Sequence, residues 1–374
     1  MDDFKVEEAK QVVGASIKVV GVGGGGGNMI NHMINEGISG IDLIVANTDA
    51  QALNASLAPT KIQLGEKKTK GLGSGMKPEI GRESALESYE EIRSALENAD
   101  IVFIASGFGG GTGTGAAPII AQAAKEVGAL TVSVITKPFM FEGKRRAKLA
   151  EEGLKELKKE SDSIVVIPND KLLSIIDKNL GIKDSFKIVD NILSRAVGGM
   201  SSVVLSYGNN DINLDFADVQ TVMSHRGMAL LGVGEFEGED AAVEAMKNAI
   251  ESPLLDNMSI NGALGVLVHF NIHPNCPLSQ ISDAMGIVYD NADEDAHVIF
   301  GTTTDENMPE NKVKITIVAT GFESEKEKQE SLNLVDPITE ARKKRINELR
   351  KVSGGYEGQG DLLDIPTFLR NQMD

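Results

Sequence analysis

Short runs of β-branched residues alternate with longer stretches of helical periodicity along the first half of the chain. "IKVVGVG" reads as a strand, "NMINHMINEG" as a helix and "IDLIVANTD" as the next strand. "SALESYEEIRSALENA" repeats its apolar positions every three to four residues, as a single helix does. "DIVFIASG", "ALTVSVIT" and "DSIVVIP" are further strands, separated by the helical stretches "TGAAPIIAQAAKEVG" and "RRAKLAEEGLKELKKES". Strands that are apolar throughout, spaced by helices of this length, predict βαβ units and a parallel sheet covered on both faces. From Ser185 to Leu205 the apolar positions keep helical spacing on more than one side, which predicts a long buried connecting helix. From Gly227 the texture changes. "GMALLGVGEF", "GALGVLVHFNI", "AHVIFGTTTD" and "KVKITIVATGF" read as strands, with helices at "DAAVEAMKNAIESP" and "LSQISDAMG". The fold class expected is therefore α/β: a Rossmann-like parallel-sheet domain, a long central helix and a second, smaller α/β domain. Beyond Gly321 the chain is charged and poor in large apolar residues, the composition of a disordered linker. It closes on a short apolar cluster, "DLLDIPTFLRNQMD".

Two glycine clusters break this pattern at equivalent places. "GVGGGGGN" (Gly21 to Asn28) and "GFGGGTGTG" (Gly107 to Gly115) each follow a strand and open a helix. Ligands of open parallel sheets bind outside the carboxyl ends of the strands. A glycine-rich turn there lets the backbone approach an anion, and the helix N-terminus offers unpaired N–H groups. The plainer reading is close helix–strand packing, which accounts for one cluster more easily than for two. Gly21, Gly23 and Gly26 match G-x-G-x-x-G, and Asp49 ends the next strand where a ribose-binding acid belongs, so a nicotinamide-dinucleotide oxidoreductase is one reading. The second cluster is surplus to it. A Walker P-loop is excluded, because G-x-x-x-x-G-K-[ST] does not occur.

Composition narrows the classes further. The length of 374 residues suggests two or three domains, and with 4% aromatics and no Trp their cores must be aliphatic. The 37 basic against 55 acidic residues leave a net charge of −18, which argues against a nucleic-acid partner. One cysteine, Cys276, permits no intrachain disulfide and has no base pattern beside it. The start "MDDFKVEEAKQVV" is acidic where a signal peptide is basic, and no apolar run approaches the ~20 residues that span a bilayer. A cytoplasmic protein with no direct membrane insertion is expected. His269 and His273 lie four apart in a strand-like run without further ligands at metal spacing, so no protein metal site is expected.

"GGGTGTG" (Gly109 to Gly115) resembles the signature of the tubulin/FtsZ superfamily, where it wraps the phosphates of GTP. "GVGGGGGN", "NTDAQAL", "KGLGSG", "TKPFMFEGKRR", "IPNDKLL", "NLDFADV" and "DIPTFLR" resemble segments of the FtsZ family of bacterial cell-division proteins, in that family's order. The resemblance runs from Ile17 to Gly321 and includes the tail. It implies that Gly24, Gly25, Gly26, Gly27 and Asn28 line one side of the nucleotide, with Asn47 and Asp49 beside them. It implies that Gly110, Gly111, Thr112, Gly113 and Thr114 hold the phosphates, and that Gly73, Ser74 and Gly75 lie in a loop responding to the γ-phosphate. Glu142 and Arg146 would contact the ribose or phosphates, Phe186 would stack on the base and Asp190 would read it, with Asn191 the one-step alternative. A carboxylate only accepts, and guanine presents N1–H and N2–H side by side, so the chemistry agrees. Without the resemblance, Phe186 reads equally as an ordinary core aromatic.

Asn213, Asp215 and Asp218 form an N-x-D-x-x-D pattern near a helix start, whose plainer reading is helix capping. The resemblance implies instead that they reach the nucleotide of the next subunit and polarise the attacking water, with Mg²⁺ offsetting phosphate charge. A head-to-tail contact that does not close builds a filament. The implied protein is a self-assembling GTPase of the mid-cell division ring, binding GTP and GDP. A non-hydrolysing nucleotide-binding assembly protein is the other alternative. The implied division is an N-terminal extension (1–15), a GTP-binding domain (16–184), a central helix (185–206), a C-terminal domain with the catalytic loop (207–321), a linker (322–360) and a tail (361–374). The tail, Asp361 to Asp374, could dock as an amphipathic helix or simply fray. The resemblance implies membrane-tethering adaptor and regulatory division proteins as its partners.

Overall fold

The first strand, β1 (Ile17–Val22), runs directly into helix α1 (Gly23–Asn35) and is buried along nearly its whole length. The structure, a computed structural model, describes residues 15–38, 40–172, 181–205, 216–224, 227–252, 260 and 262–322. The N-terminal extension up to residue 14, the linker beyond Phe322 and the tail lie outside the described residues. After α1 come β2 (Asp42–Asn47), α2 (Ala50–Ala55), β3 (Thr60–Gln63) and α3 (Glu66–Thr69). Next follow α4 (Pro78–Glu87), α5 (Tyr89–Leu96), β4 (Ile101–Gly107) and α6 (Thr112–Glu126). The run continues with β5 (Leu130–Lys137), α7 (Lys144–Glu160), β6 (Ser163–Pro168) and α8 (Asn169–Leu172). The long helix α9 (Ile182–Leu205) leads towards α10 (Phe216–Met223). The second half holds β7 (Gly227–Glu237), α11 (Ala241–Ile250), β8 (Gly265–Ile272), α12 (Leu278–Asn291), β9 (His297–Thr304) and β10 (Lys312–Thr320).

Among the described residues the strands form one ten-stranded sheet in the order β3-β2-β1-β4-β5-β6-β7-β10-β8-β9. All pairs from β3 to β7 are parallel. β10 is antiparallel to both β7 and β8, and β9 runs parallel to β8. β7 is long enough to serve both halves. Gly227 to Ala229 pair with β6, and Leu230 to Glu237 pair with β10. The sheet therefore continues across the stretch expected to divide two domains, and the described residues fall in one compact unit ending at Phe322.

Successive residues of a strand face opposite sides, and two cores follow from that alternation. Val19, Phe103, Val132 and Val165 pack with Met29 and Met33 of α1 and with Leu193 and Val197 of α9. Val20, Val102, Ile104 and Ile164 pack on the other face with Ile92 and Leu96 of α5, the alanines of α6 and Leu157 of α7. A third core joins α11 and α12 to the strands of the second half. Alanine at 116, 117, 121, 123 and 124 of α6 is completely buried, so small side chains let that helix sit close to the sheet.

The stretch "SALESYEEIRSALENA" differs from the single helix its periodicity predicts. It falls across α4 and α5, which break at Ser88. The Ser88 hydroxyl accepts from Gly65 N–H at 3.2 Å and donates to the Gln63 carbonyl at 3.2 Å. Serine side chains compete for backbone partners in this way, and the helix gives way where one does. No described helix is long and apolar enough to cross a membrane.

Candidate functional site

β1 lies between β2 and β4, so the chain turns in opposite directions on either side of the β1–β4 pair. In such sheets a crevice opens at the carboxyl ends of that pair. α1 and α6 both start there, one after each strand. Neither N-terminus carries a side-chain cap, and neither has an acidic residue in its first turn. Their first N–H groups and positive dipole ends are left for an anion.

Between them is a cavity of about 490 Å³. Its walls include Gly24, Gly25 and Asn28 from α1, and Gly110, Gly111, Thr112 and Gly113 from the turn into α6. Asn47, Asp49, Gly73, Ser74 and Gly75 form a second wall, with Glu142, Arg146, Phe186 and Asp190 at further points. Gly26, Gly27 and Thr114 are not among the lining residues. A Cβ at Gly26 would stand 2.3 Å from the Ala105 carbonyl oxygen, so this glycine lets α1 lie against β4. Thr114 is buried, and its hydroxyl accepts the Gly109 N–H at 2.9 Å, shaping the loop from behind.

Thr112 anchors the floor. Its hydroxyl is 2.6 Å from that of Thr48 and 2.8 Å from that of Ser74, tying the 71–75 loop to the start of α6. Gly71, Gly73 and Gly75 of this loop all have positive φ, at 74°, 82° and 54°, where a β-carbon is unfavourable. Asp49 caps α2, accepting from Gln51 N–H at 2.8 Å and Ala52 N–H at 3.2 Å. Only one carboxylate oxygen, Oδ1, takes part in this cap, and Asp49 lines the cavity. Glu142 pairs with Arg146 and also accepts the Phe139 N–H at 3.0 Å.

Phe186 is 43% exposed on α9, which is not how a core aromatic sits. Phe139 packs edge-on to it at 5.6 Å and stacks on Phe141 at 4.9 Å, so the ring stands in an aromatic group beside the cavity. One turn along α9, burial pushes the Asp190 carboxyl up to about 6, against a downward pull from His32.

Asn169 was not singled out from the sequence. It is buried and lines the cavity, and its Oδ1 has no hydrogen-bond partner. A buried orphan acceptor usually marks a missing ligand or water. Its signal was present in "IPNDKLL", but only the fold turns that side chain inward. Met76, Thr136, Pro138, Val189 and Leu193 also line the cavity without having been anticipated.

The expected catalytic set stands elsewhere. Asn213 and Asp215 lie outside the described residues. Asp218 is exposed on α10, which packs against β8 and β9 and contributes nothing to the cavity lining. α9 contributes Phe186 and Asp190 to the cavity, then continues to Leu205. At about 1.5 Å per residue that is roughly 30 Å. Among the described residues no three His, Cys, Asp or Glu side chains gather as metal ligands.

This arrangement defines a nucleotide-binding protein of the tubulin type. Residues 16–177 match the Tubulin/FtsZ family GTPase domain and residues 227–323 match the FtsZ family C-terminal domain. The chain belongs to the tubulin/FtsZ family of GTPases, and the oxidoreductase and non-hydrolysing alternatives fall. Within that family it stands with FtsZ. It is 46% identical over 365 residues to the cell division protein FtsZ of Helicobacter pylori, covering 96% of this chain and 93% of that protein. An empty FtsZ dimer from M. jannaschii superposes with a TM-score of 0.79 at 46% identity, covering 83% of this chain and 89% of that one. A GTPγS-bound protofilament of CetZ2 from Haloferax volcanii shares the fold at 21% identity, with a TM-score of 0.70 over 87% of this chain and 99% of that one.

Proposed function

We propose that the cavity holds GTP and that hydrolysis is completed by a second copy of the chain. The triphosphate lies across the starts of α1 and α6, against Gly24, Gly25, Asn28 and Gly110 to Gly113. Gly73, Ser74 and Gly75 respond to the γ-phosphate through the hydroxyl contact of Ser74 with Thr112. Arg146, with Glu142, meets the ribose or phosphates. Phe186 stacks on the base, and Asp190 accepts its N1–H and N2–H. Asn169 supplies an unfilled acceptor at the same cavity. Mg²⁺ carried in on phosphate oxygens and water would offset negative charge on the phosphates.

The observation that carries the reading is the division of charge. Among the carboxylates of the cavity, Asp49 caps α2 through one oxygen, Glu142 pairs with Arg146, and Asp190 lies on α9 beside Phe186. Asp218 is exposed on α10, which follows α9 in the chain, and is not among the residues lining the cavity, which suits service to a neighbour's nucleotide. With Asn213 and Asp215 it would polarise a water whose oxygen bonds to the γ-phosphorus. The bond from that phosphorus to the β–γ bridging oxygen breaks, leaving GDP and phosphate. Repeating this head-to-tail contact yields a filament. The FtsZ dimer among the similar structures supports self-association.

The proposed assembly forms the mid-cell division ring in the cytoplasm, with filament turnover driven by hydrolysis; similarity to a cell division protein FtsZ supports the role in division. The 16–184, 185–206 and 207–321 segments are then the binding domain, the spacer and the domain presenting Asp218. Residues 361–374 would bind membrane-tethering adaptors. Phosphate release measured across a dilution series tests the shared site. The rate per molecule should fall towards zero where light scattering vanishes. Asp218→Ala should bind GTP and assemble, hydrolyse poorly, and slow wild-type protein when mixed with it. A per-molecule rate that stays constant on dilution overturns the reading.

A further inference from the structure

Three hydroxyls meet at one edge of the cavity. Thr48 Oγ1 lies 2.6 Å from Thr112 Oγ1, and Thr112 Oγ1 lies 2.8 Å from Ser74 Oγ. A hydroxyl has one proton to donate and two lone pairs to accept with. Thr112 and Ser74 line the cavity, whereas Thr48 does not and is fully buried. Among the described residues the Thr48 hydroxyl has no acceptor other than Thr112 Oγ1, and a buried donor left unmade is costly. Thr48 is therefore the donor in that contact. The two contacts use two of the three protons, and the third belongs to Thr112 or Ser74, both of which face the cavity. The chain of hydroxyls is directed outward. Thr48 itself is fixed. It joins the end of β2 to the Asp49 cap of α2, and its carbonyl accepts from Gln63 Nε2, Thr69 Oγ1 and Gly73 N–H, each at 3.2 Å. Thr112 opens α6, and threonine in a helix divides between two side-chain rotamers, so its hydroxyl needs a partner to choose the direction.

We propose that Thr48 is a positioning residue for recognition of the γ-phosphate: its proton holds the Thr112 hydroxyl where Thr112 and Ser74 turn the remaining proton onto a phosphate oxygen, an inference that rests on the γ-phosphate lying against the 71–75 loop. GDP keeps the backbone N–H groups at the starts of α1 and α6 but brings no γ-oxygen for that third proton. Thr48 therefore raises affinity for GTP over GDP without touching either nucleotide. A methyl group in place of the Thr48 hydroxyl would stand near the 2.6 Å now spanned by the hydrogen bond, well inside the roughly 3.5 Å at which carbon contacts become comfortable. Thr112 then has to turn, and Ser74 loses the partner that ties the 71–75 loop to α6.

The test is equilibrium binding of ribose-labelled fluorescent GTP and GDP to the full chain, at concentrations where light scattering shows no assembly. Thr48→Val should weaken GTP by about two- to tenfold, the worth of one neutral hydrogen bond, and leave GDP within about twofold of wild type. Thr48→Ser, which keeps the hydroxyl and drops the methyl, should restore the preference for GTP. Ser74→Ala serves as the control and should lower that preference too. If Thr48→Val weakens both nucleotides alike, or Thr48→Ser binds no better than Thr48→Val, the hydroxyl does not act on the γ-phosphate and the proposal is overturned. If Ser74→Ala loses the preference while Thr48→Val overlays wild type, Thr48 has no such role although the placement of the γ-phosphate survives. If Ser74→Ala keeps the wild-type preference, that placement fails and this inference with it. Should Thr48→Val not fold, Thr48→Ala takes its place, and a wild-type ratio of GTP to GDP affinity is the refuting result.

Discussion

Replacing Gly26 with alanine should loosen the sheet around the nucleotide, whereas the same change two residues earlier should leave the fold intact and damage binding. A Cβ at Gly26 would stand 2.3 Å from the Ala105 carbonyl oxygen and 2.7 Å from the Gly21 carbonyl carbon. Comfortable contact begins near about 3.5 Å, so α1 would have to retreat from β1 and β4 by roughly 1 Å. Both obstructing atoms are backbone in paired strands and cannot rotate aside. Overpacking of this kind costs about 1–3 kcal/mol. Alanine's better helix propensity returns about 0.5–1 kcal/mol, which leaves a net loss of about 1 kcal/mol at mid-range and at most about 2.5 kcal/mol. At Gly24 an added Cβ meets nothing within 4 Å, so only the helix gain applies. Yet Gly24 lines the cavity, and a methyl there would hold phosphate away from the start of α1. Urea unfolding of nucleotide-free protein should show Gly26→Ala destabilised and Gly24→Ala unchanged or slightly more stable. Titration with fluorescent GTP should show Gly24→Ala weakened at least about tenfold, which is about 1.4 kcal/mol. Wild-type unfolding of Gly26→Ala, or wild-type binding by Gly24→Ala, would refute this division of labour within one glycine run.

Three further outcomes follow from the same geometry. Thr114→Val keeps the shape but strips the hydroxyl that accepts the buried Gly109 N–H, so thermal melts should show a loss of about 1–3 kcal/mol. Asp190→Asn should weaken GTP by about 1.5–3 kcal/mol and improve xanthosine triphosphate, whose base carries a carbonyl where guanine has its amino group; an unchanged GTP-to-XTP preference moves base reading elsewhere. Burial alone would raise the Glu235 carboxyl, but hydrogen bonds from Lys312 and Arg195 outweigh it and hold it below the usual range. A lowered carboxyl contributes stability that is present above its unfolded pKa and lost as pH falls through the folded one. Glu235→Gln should therefore cost about 1 kcal/mol at pH 7, and its unfolding profile should converge on wild type as pH falls through the lowered folded-state range of the Glu235 carboxyl.

Much of the first half was legible because a parallel strand buried on both faces leaves an unbroken apolar run. β1, β2, β4, β5 and β6 all appear that way. β3 did not, because an edge strand of four residues, "TKIQ", carries too few apolar positions to register. The break at Ser88 was equally hidden, since apolar periodicity continues through it and the interrupting contacts come from residues some twenty positions away. The composition of the site was readable in the two glycine clusters. The share of work within them was not: Gly24 and Gly26 are the same letter in the same helix, and only the distance to Ala105 separates a ligand wall from a packing contact.

The sequence alone determined the alternation of strand and helix, the glycine-rich starts of α1 and α6, and the family to which these belong. Each is a local property, set by residue type and spacing within a window of a few turns. The tertiary structure decided what depends on residues far apart in the chain. It carried β7 from the parallel half of the sheet to the antiparallel half, because one strand has two edges and pairs with whatever lies beside each. It left Asp218 exposed and outside the cavity lining, because α10 packs against β8 and β9. It set Glu36, at the end of α1, against Ser194 of α9. No pattern along the chain records which side chains of two distant helices will meet.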